Sequence, residues 1–356
     1  MTRQTLIRVA GAMVFPCLLA VACDQAAPDE AATQEDQQPA SGEASGQTSG
    51  EVRALGTAPA QELRLWARGG IGIFETTRHP DGEWDNIPSF ALLISGTIIN
   101  GSSAGPDGYL FAFDGRAGGA LLRETPDHRF TLVPLPRPPG LGGPPFIVGA
   151  DVTSVGGVLT VCGTSLQGRL LVSTPGPDGA FTAWDDLEAR AGALGSPSTL
   201  SCSESGGLLH ACAVDSAGEV RHSVRAADGS WQPWGRVEAE AGDIGAANRV
   251  RCRGADGRLY VLARSDRGAF LAERLPSGAW RRWQHLASAI GDPNADALTE
   301  IAVVDGEVQA VGTTETGVWH TVRHRDRRWD ELGNVAEVVA GYPPEARTVM
   351  IAALPR

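Results

Sequence analysis

One strand-rich pattern about 50 residues long recurs six times between residue 61 and the C-terminus, and no single residue constrains the fold as strongly as this repeat. A period of that length belongs to propellers, solenoids and arrays, whose units bury their apolar faces against their neighbours. Two copies are clearest: NRVRCRGADGRLYVLARSDRGAFLAERLPSGAWRRWQHL at residues 248 to 286, and STLSCSESGGLLHACAVDSAGEVRHSVRAADGSWQPWGRV at 198 to 237. Each contains four short strand-like runs separated by Gly-bearing turns.

The register can be followed from copy to copy. Innermost strands are expected around Ile99, Thr153, Cys202, Cys252, Ala302 and Met350, and outermost strands carry Phe130, Trp184, Trp234, Trp283 and Trp329. Residues 62 to 87 read as strands two to four of a unit that lacks its first strand. Residues 345 to 355 read as a first strand that lacks the other three. Joined, the two pieces complete one unit and remove the sheet edges that an open array would expose. The expected fold is therefore all-β: a six-bladed β-propeller over residues 61 to 356, closed by N- and C-terminal strands sharing one blade, with seven blades as the alternative count. Helical periodicity is nearly absent. Seven tryptophans (84, 184, 231, 234, 280, 283 and 329) fall at repeating fourth-strand positions and read as wedges between blades, whereas Trp66 and Trp319 fall outside that pattern.

Between the third and fourth strands the chain repeats Pro-Asp-Gly-Glu-Trp (80 to 84), Pro-Asp-Gly-Ala-Phe (177 to 181), Ala-Asp-Gly-Ser-Trp (227 to 231) and Pro-Ser-Gly-Ala-Trp (276 to 280). Asp-Gly there is expected to supply the positive φ angles of a tight hairpin. With these turns the chain resembles lectin-like propellers: the tectonin and tachylectin group, the six-bladed fungal fucose-binding lectins and, more loosely, the Asp-box repeats of sialidases. The Asp-box proper spaces its Asp and Gly one residue further apart. In the fucose-binding lectins an Arg on the second strand, a Glu on the third and an aromatic from a neighbouring blade hold one sugar. By that resemblance the ligand-binding candidates are Arg64 and Glu75, with Trp66 as the aromatic platform, and Arg258 with Glu273. Arg and Glu on facing strands also form plain surface ion pairs, and that reading stays open beside the first.

Arg3 and Arg8 precede the apolar run GAMVFPCLLAVAC, which together give the basic and hydrophobic regions of a secretory signal peptide over residues 1 to 22. Leu19-Ala20-Val21-Ala22-Cys23 resembles a bacterial lipobox, which implies acylation of Cys23 and a membrane partner through that lipid; cleavage as an ordinary secreted protein is the alternative. The rest of the segment 23 to 60 carries seven Asp or Glu against Arg53 and no aromatic, so it cannot bury a core and reads as a disordered acidic linker. Its end-to-end distance is on the order of 35 Å. Asp24 after the lipidation site resembles an inner-membrane retention signal; the expected address is the bacterial cell envelope, with inner or outer membrane left open.

The formal net charge of −12 is opposite to what nucleic-acid binding needs. The chain has no Lys, which removes Schiff-base chemistry and phosphate-binding lysine loops. His222, His320 and His324 have no carboxylate or Cys at metal-ligand spacing, and neither a metal nor a cofactor is expected. Gly-Thr-Ser-Leu-Gln-Gly at 163 to 168 lacks the spacing of a hydrolase elbow, and no nucleophile is evident. Beyond Cys17 and Cys23, four cysteines remain. An exported chain favours their pairing, and Cys162 to Cys202 with Cys212 to Cys252 are equivalent under a one-blade rotation; free buried thiols are the alternative. The sequence thus points to a non-catalytic, lipid-anchored envelope propeller that binds a glycan or an envelope protein, with a sialidase-like glycoside hydrolase as the alternative.

Overall fold

The computed structural model describes residues 60 to 355, except 69–71, 86–88, 93–96, 100–108, 115–117, 125–129, 137–146, 166, 182, 341 and 343–347. The signal segment, Cys23 and the acidic linker lie outside the described residues.

The described chain is all-β, arranged as six four-stranded sheets. The first contains β1 (Gln61–Arg68), β2 (Gly72–Arg78) and β3 (Ser89–Leu92). The second contains β4 (Thr97–Ile99), β5 (Tyr109–Asp114), β6 (Gly118–Glu124) and β7 (Phe130–Pro134), and the third β8 (Ile147–Val155), β9 (Val158–Ser165), β10 (Leu170–Ser173) and β11 (Asp185–Asp186). The fourth comprises β12 (Thr199–Ser205), β13 (Leu208–Val214), β14 (Val220–Arg225) and β15 (Gly235–Arg236). In the fifth are β16 (Ala247–Ala255), β17 (Arg258–Ser265), β18 (Gly268–Arg274) and β19 (Gln284–His285); in the sixth, β20 (Leu298–Val304), β21 (Glu307–Thr314), β22 (Gly317–Arg323) and β23 (Gly333–Asn334). The last strand, β24 (Thr348–Pro355), returns to the first sheet and pairs antiparallel with β1 from Gln61↔Pro355 to Arg68↔Thr348. The fourth strand of that sheet, β3, begins at Ser89, beyond the segment 62 to 87 that was expected to contain it.

The first strands of neighbouring sheets pack on one another, β8 on β12, β12 on β16, β16 on β20 and β20 on β24. Hydroxyls fasten them. Thr153 on β8 accepts from the Glu204 amide at 3.0 Å, and Ser201 and Ser203 on β12 accept from the Cys252 and Gly254 amides at 2.9 and 2.8 Å. Sheets arranged around such a centre form a β-propeller.

Apolar clusters fill the wedges between successive sheets. Cys212, Val214 and Val220 of the fourth sheet meet Val250, Val261 and Ala263 of the fifth, closed outward by Trp280 and Trp283. Equivalent wedges hold Trp231 with Trp234, and Trp329, which supports the structural role read for the repeated tryptophans. These residues do not lie in one continuous fourth strand, however. Trp84, Trp231, Trp280 and Trp329 each form a single bridge to an Arg closing the third strand, namely Arg78, Arg225, Arg274 and Arg323. A ladder of two residues then follows in the third to sixth sheets, leading into one-turn helices α1 (Leu187–Ala191), α2 (Glu238–Ala241), α3 (Leu286–Ile290) and α4 (Val335–Val338). One turn is too short to leave a period in a sequence.

The turns also differ from expectation. In the third-to-fourth turn only the glycine is left-handed (Gly82 φ 93°, Gly179 80°, Gly229 85°, Gly278 93°). The preceding Asp instead bends the chain with its side chain, as where Asp228 accepts from the Ser230 amide at 2.9 Å. Both residues take positive φ in the first-to-second turn, at Asp256 (51°) with Gly257 (69°) and Asp305 (50°) with Gly306 (79°), the geometry that matches strand twist in a two-residue hairpin.

Cys162 on β9 and Cys202 on β12 form a disulfide across the third and fourth sheets. The second expected bridge is not formed: Cys212 and Cys252 are free and buried, with the two thiols hydrogen-bonded. Burial pushes the Cys212 thiol up, and with its thiolate suppressed the thiol is a poor nucleophile for exchange. Replacing Cys162 and Cys202 together by Ala is expected to lower the unfolding free energy by about 3–4 kcal/mol, the chain-entropy value for a loop of this size. Guanidinium denaturation reads it directly, and an unmoved midpoint would overturn it.

Three histidines are buried neutral in the wedges. His210 donates from Nε2 to the Ser205 carbonyl at 3.2 Å, and its Nδ1 lies 2.9 Å from His222 Nε2. His320 donates from Nε2 to Gln309 Oε1 at 2.8 Å. Desolvation, then Arg274, lowers His210 to about 4; desolvation, then Arg78, lowers His320 to about 3; and desolvation, then His210, lowers His222. A histidine held neutral in the fold takes up a proton on unfolding, so its contribution is complete above pH 6.5 and drains away as pH falls toward the folded value. For His210 alone this amounts to about 3 kcal/mol between pH 6.5 and 4. The half-buried His324, raised by Glu307 and Asp330, acts in the opposite sense. The melting temperature is expected to fall steeply from pH 6.5 to 4, with a shallower slope in His210→Gln; a flat profile would contradict it.

Candidate functional site

Arg258 opens β17, and Glu273 stands next to the end of β18, where it pairs across the ladder with Tyr260. The Arg258 guanidinium forms an ion pair with Glu273 Oε1. Two further cations converge on Glu273 Oε2: Arg281 Nε at 3.6 Å, from the loop after β18, and Arg323 Nη2 at 3.4 Å, from the last residue of β22 in the next sheet. Glu273 is only 5% exposed. Three guanidinium groups around one buried carboxylate leave the site cationic, and the Arg281 and Arg323 Nε donors have no hydrogen-bond partner.

These residues line a cavity of about 280 Å³ between the fifth and sixth sheets. The Arg323 guanidinium lies 5.8 Å from the Tyr260 ring centroid and covers that ring. Burial, then Glu273, pushes the Tyr260 phenol up, so it remains a hydrogen-bond donor. His324 at the wall is held between Glu307 at 2.8 Å and Asp330 at 2.7 Å. The site offers charged donors from its arginines and charged acceptors in Glu273 and Asp256. Such a set suits a neutral polyhydroxylated ligand, whose hydroxyls both donate and accept. Among the described residues no group of three His, Cys, Asp or Glu could hold a metal ion.

The pair in the first sheet is built differently. Arg64 Nη1 lies 3.3 Å from Glu75 Oε1 and its Nε 3.5 Å from Glu62. Trp66, 0% exposed, donates from Nε1 to Glu75 Oε2 at 3.0 Å. It has no free face and cannot be a stacking platform. The ladders explain the mismatch: Leu63↔Arg78 in the first sheet corresponds to Leu259↔Arg274 in the fifth, so the positions of Arg258 and Glu273 are taken by Glu62 and Thr77. Arg64 and Glu75 sit two residues further along their strands. In the fourth and sixth sheets the same positions hold Leu208 with Val224 and Glu307 with Val322. Among these the Arg and Glu pairing occurs in the fifth sheet alone.

Sequence reasoning missed Tyr260, Arg281 and Arg323. A signal for Arg323 was present, because an Arg ends the third strand at 78, 225, 274 and 323, just ahead of the turn motif. No protein-family model matches the chain, and no curated protein is significantly similar to it. Among solved structures, the six-bladed β-propeller of Aleuria aurantia lectin, described with a fucose recognition mode, superposes with a TM-score of 0.55 at 13% identity, covering 80% of this chain and 93% of the lectin. The chain is similar in fold to lectin propellers. SapL1 lectin in complex with α-methyl fucoside gives a TM-score of 0.55 at 11% identity, covering 80% of this chain and 97% of that one. BP39L lectin from Burkholderia pseudomallei gives 0.51 at 12%, covering 78% and 81%. At such identities the likeness concerns the fold, and the arrangement around Glu273 stands on this chain's own residues.

Proposed function

We propose that this protein is a non-catalytic, lectin-like propeller that binds carbohydrate in the cavity between the fifth and sixth sheets. The observation that carries the reading is the buried Glu273 carboxylate held by Arg258, Arg281 and Arg323 at the wall of this cavity, where the buried Arg281 and Arg323 Nε donors have no hydrogen-bond partner. The fold of lectins solved with bound fucosides supports it. The six sheets act as the blades of one ring, closed where β24 meets β1. Export by the signal segment and acylation at Cys23 place the domain on the bacterial cell envelope, with the acidic linker as its tether; mass spectrometry of the N-terminal peptide of the mature protein tests this, and an unacylated N-terminus would remove the anchor.

A glycan array of the mature protein, repeated with Glu273→Gln and Arg258→Ala, tests the binding. The expected result is a restricted set of glycans bound by the parent and at least a tenfold loss in either variant, because each leaves ligand hydroxyls unpaired in the complex. Glycan binding that both variants retain would move the site elsewhere. An array without any hit would leave the envelope-protein partner as the better reading.

A further inference from the structure

The innermost strands carry a second charged system away from Glu273. Arg249 and Arg251 alternate along β16 and so share a face. Both bind Glu300 on β20, Arg249 Nη2 at 2.5 Å and Arg251 Nε at 2.9 and 2.8 Å. Further along β16, Arg253 Nη1 meets Asp151 of β8 at 2.7 Å. Glu300 thus serves two cations. A third, Arg264 near the end of β17, has no carboxylate partner among the described residues.

At the starts of β8, β12 and β16 a cavity of about 320 Å³ opens, lined by Arg249, Arg251, Arg264, Thr164, Thr199 and Asn248. Three of its buried polar atoms make no hydrogen bond: Arg249 Nε, Thr164 Oγ1 and Thr199 Oγ1. Thr164 is 4% exposed, so its hydroxyl has no bulk water to turn to. Native structures pair such groups, and here the unpaired ones share one cavity. Its walls combine three guanidinium groups, two of them paired to Glu300, with the hydroxyl residues Ser198, Thr164 and Thr199 and the amide residue Asn248. Guanidinium forks match the spacing of oxygens on a carboxylate, sulfate or phosphate. An apolar or cationic guest would leave these donors unanswered. Burial lowers Arg249, Glu300 opposes that shift, and the like-charged Arg251 and Arg264 add to it.

We propose that this cavity at the starts of β8, β12 and β16 is an oxyanion site, taking the carboxylate, sulfate or phosphate group of a ligand. It is separate from the Glu273 cavity and independent of the carbohydrate reading, since it shares none of that cavity's residues. Arg264 is exposed at its rim, and Arg264→Gln removes one donor fork without opening the wedges.

Isothermal titration of the mature protein at constant ionic strength, with sodium sulfate, sodium phosphate and sodium glucuronate in turn, tests the proposal against a sodium chloride control. At least one probe is expected to bind saturably at low millimolar concentration or below, with at least a tenfold loss in Arg264→Gln and in Thr164→Val and no loss in Glu273→Gln. Tighter binding of glucuronate than of the inorganic ions would assign the site to organic carboxylates, and the reverse order to sulfate or phosphate groups. No saturable binding of any probe, or equal binding by Arg264→Gln, would overturn the site.

Discussion

A chain truncated before residue 345 is expected to show no cooperative melting transition by circular dichroism. The truncation strips β24, whose residues from Thr348 to Pro355 are in register with the whole of β1. Val349 and Ile351 belong to the same apolar cluster as Leu63, Leu65 and Ala67 of β1 and Val311 and Val318 of the sixth sheet, while Met350 and Leu354 are buried as well. Burial of one such side chain is worth about 1.5–3 kcal/mol, and whole domains are stable by only about 5–15 kcal/mol. Losing several at once, and exposing the β1 edge, exceeds that margin. A truncated chain that melts like the parent would show that β24 does not close the ring.

The second large effect is expected from Glu300→Ala. The carboxylate is 1% exposed and holds Arg249 and Arg251 on the neighbouring innermost strand. Removing one member of a buried ion cluster leaves the other charges uncompensated, at a cost of about 3–5 kcal/mol. In a domain of this size that lowers the melting temperature by on the order of 10 °C. Glu300→Gln, which keeps one acceptor, should fall between variant and parent. Melting of Glu300→Ala within a degree of the parent would show that the arginines find water instead.

The part of this fold legible in the sequence is the part that repeats. Alternation and Gly-bearing turns recur in each unit, so the first strands around Cys202, Cys252 and Ala302 could be placed by comparing copies. The Cys162 to Cys202 bridge followed from the same comparison, because the two residues occupy the second and first strands of consecutive units. The equivalent Cys212 and Cys252 show the limit of that logic: matching positions bring two thiols together, while their oxidation depends on an apolar environment that no spacing reports. Register was the other limit. Arg64 with Glu75 and Arg258 with Glu273 look alike as residue types on second and third strands, yet a shift of two residues along the ladder buries one pair beside Trp66 and opens the other to a cavity. The contacts made by Arg323 and Glu300 were out of reach for a further reason. Each acts on a partner about 50 residues away in the adjacent sheet, a contact made by the packing of sheet on sheet and by no local pattern.

The pairing of Gln61 with Pro355 has a consequence for how the chain could be rewired. Strands paired in this way lie about 5 Å apart, so the two ends of the folded domain could be tied by a short peptide without disturbing the sheet. The cut could then be made at another hairpin tip, such as Gly206 and Gly207, whose positive φ angles turn the chain between β12 and β13. A domain permuted there would begin at β13 and end at β12, with the same sheets in the same order around the centre. Its seam would lie beside the disulfide, fastening an edge that in the natural chain is fastened by sequence continuity.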